Sequence, residues 1–341
     1  MAYEIGTATN YLDLMYRLKQ FVTDPYRAVE SGGTDIDEID PIPAEDVWTV
    51  KRWNTDWDGS GGYELILAGP GVSGVDDILV GMQSWKVTAV GAYNWCLAGF
   101  TGFSAAAAFL SQAGSHSTSK TNMPQLFLNN SSMQYWFFAN GRRICGVAKV
   151  GGTYYAAFYL GYILPYGTPA AFPYPLAIGG SAAYDSSSTS YQVYSTTHHY
   201  NRGYVDPPGD SLYSLQRSSL ILLCGTWLDF CNYDRGNIES ASRSSGKTTW
   251  PFITGVYTLT ETPCFMSWRM DKNPVDEPPL FPIILTCSSD KNIFGELHGV
   301  KAVLANGVVT EDTITFEGDT YIVFQNGRLG AAKDMFAIKK E

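Results

Sequence analysis

Apolar positions in this chain fall mostly in short blocks of strand length, separated by Gly, Pro, Asn and Asp. The clearest series runs from Tyr135 to Leu164. Tyr135-Trp136-Phe137-Phe138 is an aromatic run. Asn140-Gly141 tolerates positive φ and predicts a two-residue type I′ hairpin turn. Ile144 to Val150 is the return strand, Gly151-Gly152 a second turn, and Tyr154 to Leu164 a third strand, apolar at nearly every position. A strand apolar on both faces must be covered on both faces. The cover is either the rest of this chain or another copy of it. Tyr154, Tyr155 and Tyr159 are therefore candidates for a subunit contact as well as for a core.

One stretch has a helical period. Over residues 7–23, Leu12, Met15, Leu18 and Val22 form an apolar stripe flanked by Tyr11, Leu14 and Phe21. Thr9 or Asn10 caps the helix, Asp13 lies in its first turn, and Asp24-Pro25 ends it. Such a stripe packs on its own domain or docks a neighbouring subunit, so Leu12, Met15 and Leu18 join the interface candidates. Residues 28–46 carry Glu30, Asp35, Asp37, Glu38, Asp40, Glu45 and Asp46. They read as a solvated acidic loop, without the glycine turn and closing Glu of a calcium loop.

From Val47 onward, short strands predict a mainly β chain: antiparallel, sandwich-like sheets with one N-terminal amphipathic helix and long loops. Three units are expected: 1–46, helix and acidic loop; 47–279, the main β-domain; and 280–341, a C-terminal β-unit. Residues 165–175 look like a rigid extended arm. Residues 183–204 are polar and Tyr-rich, a long loop ordered by contacts, with Tyr191 and Tyr194 as interface candidates. In the C-terminal unit, Thr313 to Phe316 and Thr320 to Gln325 read as a hairpin around Glu317-Gly318-Asp319.

Composition sharpens this picture. The chain has 341 residues, of which 45% are hydrophobic and only 16% charged, with 22 Tyr, 17 Phe and 9 Trp. Average proteins carry about 25% charged residues. Either a large β-core or surface buried in an assembly accounts for the deficit. A net charge of −10 argues against binding free nucleic acid or an anionic membrane surface. No apolar run is long enough for a membrane-spanning helix, and the N-terminus lacks the basic start and apolar block of a secretion signal. Synthesis in a cytoplasm is expected, with any exit by another route. None of the six cysteines forms a C-x-x-C pair, which argues against zinc. Buried thiols are the plainer reading; Cys224 and Cys231, seven apart, are the pair that can meet across a bend.

Candidate chemistry is sparse. Ser73 lies outside any G-x-S-x-G elbow. Adjacent His198 and His199 point opposite ways on a strand, which argues against a metal site. Asp206, Asp210, Asp229 and Asp234 among aromatics keep a two-carboxylate glycosidase open. Arg142-Arg143, just after the hairpin turn, read as solvated or ion-paired. No catalytic residue, metal ligand or cofactor is assigned.

Several segments together resemble a family of tailed-bacteriophage virion structural proteins. They are Tyr11 to Met15; Glu64 to Leu67 with Gly69-Pro70-Gly71; Tyr93-Asn94-Trp95 with Gly99 to Gly102; Trp136 to Arg143; and Tyr159-Leu160-Gly161 with Leu164 to Pro169. Gly295 to Val300, Glu311 to Ile314 and Phe324-Gln325-Asn326 continue the series. The resemblance implies a non-enzymatic part of the virion in the tail, baseplate, neck or collar, made in the bacterial host, forming homo-oligomers and contacting other virion proteins. It implies no functional residues, and it is poor over residues 183–250. Two alternatives stand beside it. One is a receptor-recognition part that stacks host glycan on Trp and Tyr faces. The other is a cell-wall glycosidase.

Overall fold

The computed structural model describes residues 1–29, 35–71, 78–87, 92–120, 123–152, 154–167, 176–180, 182–183, 219–223, 226–229, 247–250, 280–287, 292–303, 308–325, 327–328 and 335–340. Among them the strands form three antiparallel sheets, with one α-helix, Tyr11–Thr23. The chain is mainly β, as its patterning predicts.

The central sheet runs in the order Thr226–Asp229, Ser219–Leu223, Leu176–Gly179, Tyr154–Tyr162, Arg143–Val150, Met133–Asn140, Ala2–Ala8, Ile36–Asp40. Gly327–Arg328 pairs with its Tyr154-Tyr155 end. One flanking sheet holds Ala182–Ala183, Pro124–Leu128, Ala92–Phe100, Ile78–Val87, Glu64–Gly69 and Thr49–Asn54. The other is C-terminal: Lys247–Trp250, Leu280–Cys287, Asn292–Val303, Met335–Lys339, Asp319–Gln325 and Thr313–Phe316, with Leu164–Pro165 added on Asn292–Val303.

Strand alternation explains how one sheet serves two cores. Tyr135, Phe137, Phe158 and Leu160 pack with Leu65, Leu67, Val80 and Leu97 of the first flanking sheet, and with Leu14 and Phe21 of the helix. Their neighbours in sequence, Trp136, Phe138, Tyr155 and Tyr159, pack with Val300, Phe324, Phe336 and Ile338 of the C-terminal sheet. Each large apolar side chain buried this way contributes about 1.5–3 kcal/mol. Every residue of Tyr154–Tyr162 is buried. The doubly apolar strand is thus covered on both faces by its own chain.

Local chemistry sets the helix ends. Asn10 Oδ1 accepts from the Leu12 and Asp13 amides at 2.9 and 3.0 Å, and Asp13 Oδ2 accepts from the Thr9 amide at 2.8 Å. Asn10, not Thr9, is the cap.

Several expectations are corrected. Residues 7 and 8 belong to the strand Ala2–Ala8, so the helix begins at Tyr11. The acidic segment is not simply a solvated loop, because Ile36–Asp40 pairs with Tyr3 to Gly6. The strands Ala2–Ala8 and Ile36–Asp40, within the first 46 residues, extend the central sheet. The C-terminal unit likewise shares a core with the central sheet. Ser219–Leu223 and Thr226–Asp229 are two strands paired with each other.

Candidate functional site at the end of the central hairpin

Asn140 pairs with Arg143 across the first central hairpin, so the two turn residues are Gly141 and Arg142. Neither has positive φ, and the expected type I′ turn is absent here. Asn140 Oδ1 instead accepts from the Arg142 and Arg143 amides at 3.0 and 3.1 Å, a side-chain closure that needs no left-handed backbone. The I′ signature occurs at Glu317 and Gly318, with φ of 55° and 87°.

This turn is gripped from three sides. Trp48 Nε1 donates to the Asn140 carbonyl at 2.8 Å, the Gly71 amide to the Gly141 carbonyl at 3.0 Å, and the Tyr162 amide to the Arg142 carbonyl at 2.9 Å. Arg143 follows. Its position shares strand parity with Cys145 and Val147, which face the C-terminal sheet. Arg143 is wholly buried. Its guanidinium donates to Cys145 Sγ and Met1 Sδ, its Nε has no hydrogen-bond partner, and no carboxylate among the described residues pairs with it. It is therefore not solvated, and among the described residues it is not ion-paired.

Around the guanidinium lie polar groups without negative charge. Tyr159 Oη donates to the Tyr162 carbonyl at 2.6 Å and accepts from the His298 amide at 3.3 Å. Asn140 Nδ2 sits 3.4 Å from His298 Nδ1. Burial, and then the charges of Arg143, Arg142, Lys339 and Lys301, push His298 down to about 3, so the ring is neutral at ordinary pH. Burial pushes the Cys145 thiol up to about 11 against the pull of Arg143. Gly299, at φ 70°, passes so close that a Cβ there would lie 2.3 Å from Arg143 Nη2. A cation this enclosed cannot meet a solvent-borne substrate. Its neighbours join the central and C-terminal sheets, so the cluster is cohesive.

A second buried polar cluster lies beneath the helix. Glu4 is fully buried and accepts from both Nε and Nη2 of Arg27, and from Tyr135 Oη at 2.7 Å.

The interface candidates separate in place. Met15, Leu18, Tyr154, Tyr155 and Tyr159 are buried in this chain's own cores, and Leu12 packs half-buried against one of them. The flanking sheets and the helix cover the five buried side chains, and Leu12 is covered in part. Tyr191, Tyr194, Cys224 and Cys231 lie outside the described residues, as do Ser73, His198, His199, Asp206, Asp210 and Asp234. Trp48, Trp85, Trp95 and Trp136 are buried and present no sugar platform. Cys96 and Cys145 are free buried thiols. Among the described residues no group of three or more His, Cys, Asp or Glu is placed to hold a metal, and no helix is long and apolar enough to cross a membrane.

Sequence reasoning missed the burial of Arg143 and Glu4. A signal existed for the first: Arg143 shares strand alternation with Cys145 and Val147 in a run that is apolar but for Lys149 near its end. No protein-family model matches the chain, and no curated protein matches it. The resemblance to phage virion proteins rests on the quoted segments.

Proposed function

We propose that this chain is a non-enzymatic structural subunit of a tailed-phage virion, assembling with itself and neighbouring proteins around the tail or neck. One observation supports the reading: several of the segments that resemble the virion family, though far apart in sequence, are in contact around the central hairpin. Gly71 bonds to Gly141, Gly161 pairs with Arg143, Leu164 and Pro165 pair with Glu296 and Gly295, and His298 approaches Asn140. The resemblance is thus concentrated in the scaffold that locks the sheets together, which suits a protein whose work is to hold shape.

The test is localisation. Antibody against the purified chain is applied to particles from a lysate of the phage whose genome encodes it, and particle proteins are identified by mass spectrometry. Labelling at the tail or neck is expected. A chain confined to the soluble fraction, or one that turns over a polysaccharide, overturns the assignment.

A further inference from the structure

Two sheet edges flank the single helix on the same side of the molecule. Ile36–Asp40 is the outermost strand of the central sheet, and Thr49–Asn54 the outermost of the first flanking sheet. The helix Tyr11–Thr23 touches both. Arg17 Nη2 lies 2.9 Å from Asp35 Oδ2 on one side. On the other, the Tyr16 ring sits 6.3 Å from that of Trp53, with Lys19 Nζ 5.3 Å from each. A free edge presents unpaired backbone donors and acceptors, a template for another strand.

The two edges carry opposite charge. On the first, Asp37 and Asp40 are exposed and have no ion pair among the described residues. Glu38 beside them is already held by Lys340 at 2.6 Å. On the second, Lys51 is exposed, Lys19 stands over aromatic rings, and neither has a carboxylate partner among the described residues. Arg52 is not available, since Glu64 neutralises it at 2.8 Å. Between the edges lies Tyr16, 41% exposed, and Val50 on the basic edge is 37% exposed.

We propose that this face is a self-association surface whose occupant is a second copy of the chain. A two-fold rotation about the helix brings the acidic edge of one copy against the basic edge of the other, twice. An isologous contact of this kind is self-complementary. Pairing acidic edge to acidic edge is excluded, because like charges directly opposite are destabilising. Acidic residues therefore fix which edge is accepted while the backbone supplies the bonds. The contact deepens the assembly reading above by naming its surface, and it rests on that reading only in requiring a second copy.

Sedimentation equilibrium of the purified full chain tests it. The wild type is expected to dimerise. Lys51→Glu places like charges at both junctions and is expected to weaken the dimer at least about tenfold. Asp37→Lys with Asp40→Lys does the same, and combining all three substitutions in one chain restores association. These side chains are exposed, so circular dichroism is expected to report unchanged folding. A monomeric wild type, an unchanged dissociation constant in Lys51→Glu, or failure of the combined variant to recover overturns the proposal. A monomeric chain that still labels particles overturns this contact alone and leaves the virion assignment standing.

Discussion

Arg27 reaches back across twenty-three positions to close both Nε and Nη2 on the carboxylate of Glu4, which is wholly buried on the first strand. Tyr135 adds a third donor from the neighbouring strand at 2.7 Å. The pair fastens the segment after the helix to the strand next to the edge of the central sheet. Removing one partner leaves a buried charge uncompensated, so Arg27→Met is expected to destabilise by about 3–5 kcal/mol. Tyr135→Phe removes one bond to a charged acceptor and is expected to lose about 1.5–3 kcal/mol. Adding Glu4→Gln to Arg27→Met restores part of the loss, since the stranded charge is gone. Urea unfolding of the three variants measures the ranking.

Gly161, inside the strand Tyr154–Tyr162, contrasts with Gly152, in the turn that precedes that strand. A Cβ on Gly161, at φ 141°, would lie 2.4 Å from both the Arg142 carbonyl oxygen and the Arg143 Cα, which are backbone and cannot swing away. Gly161→Ala is expected to cost at least about 1–3 kcal/mol from backbone strain, with the collision added. Around Gly152 a Cβ would meet nothing within 4 Å. Gly152→Ala is expected to stay within about 0.5 kcal/mol of wild type. Thermal melts of the two variants decide the matter, and equal losses would refute the close-approach account.

How far the chain announces itself differs from element to element. The helix is legible because its apolar residues recur at helical spacing and Asn10 supplies a cap. The central hairpins are legible because aromatic and β-branched runs alternate with permissive turns. The strand Ala2–Ala8 is not, since Glu4 occupies an inward position and only Arg27 makes that tolerable. Ile36–Asp40 reads as loop because its exposed side chains are acidic, while its pairing is made by backbone atoms that carry no side-chain signal. Arg143 was legible only through strand parity. Tyr154, Tyr155 and Tyr159 look like uncovered surface until the flanking sheets, more than a hundred residues away for the C-terminal one, are placed over them.

His298 predicts a pH dependence with a definite sign. Its folded value of about 3 lies below the ordinary 6.5. The unfolded chain therefore takes up a proton as pH falls through 6.5, while the folded chain does not until far lower. Stability falls with falling pH across that window, by at most about 1.4 kcal/mol per pH unit. Between pH 7 and 5 ordinary carboxylates stay largely ionised, so the histidine dominates. The expected outcome is that His298→Gln flattens the difference in urea midpoint between pH 7 and 5. An unchanged slope in the variant would assign the dependence to another group.

Arg143 is wholly buried with no carboxylate paired to it among the described residues, which is unfavourable for the fold taken alone. A buried charge is stable only when paired or well hydrogen-bonded, and its Nε has no hydrogen-bond partner. Replacing buried ionic groups by apolar residues of similar volume is often neutral or stabilising by about 1–4 kcal/mol. Arg143→Met is therefore expected to leave the folded chain at least as stable as wild type. It also removes the second-ranked cause of the depressed His298 value, so the histidine moves back toward 6.5 and the pH 7-to-5 difference narrows. Urea unfolding at the two pH values checks both effects in one series. A large loss of stability would show that the cation is compensated by its dipolar neighbours, Tyr159 and the hairpin turn among them.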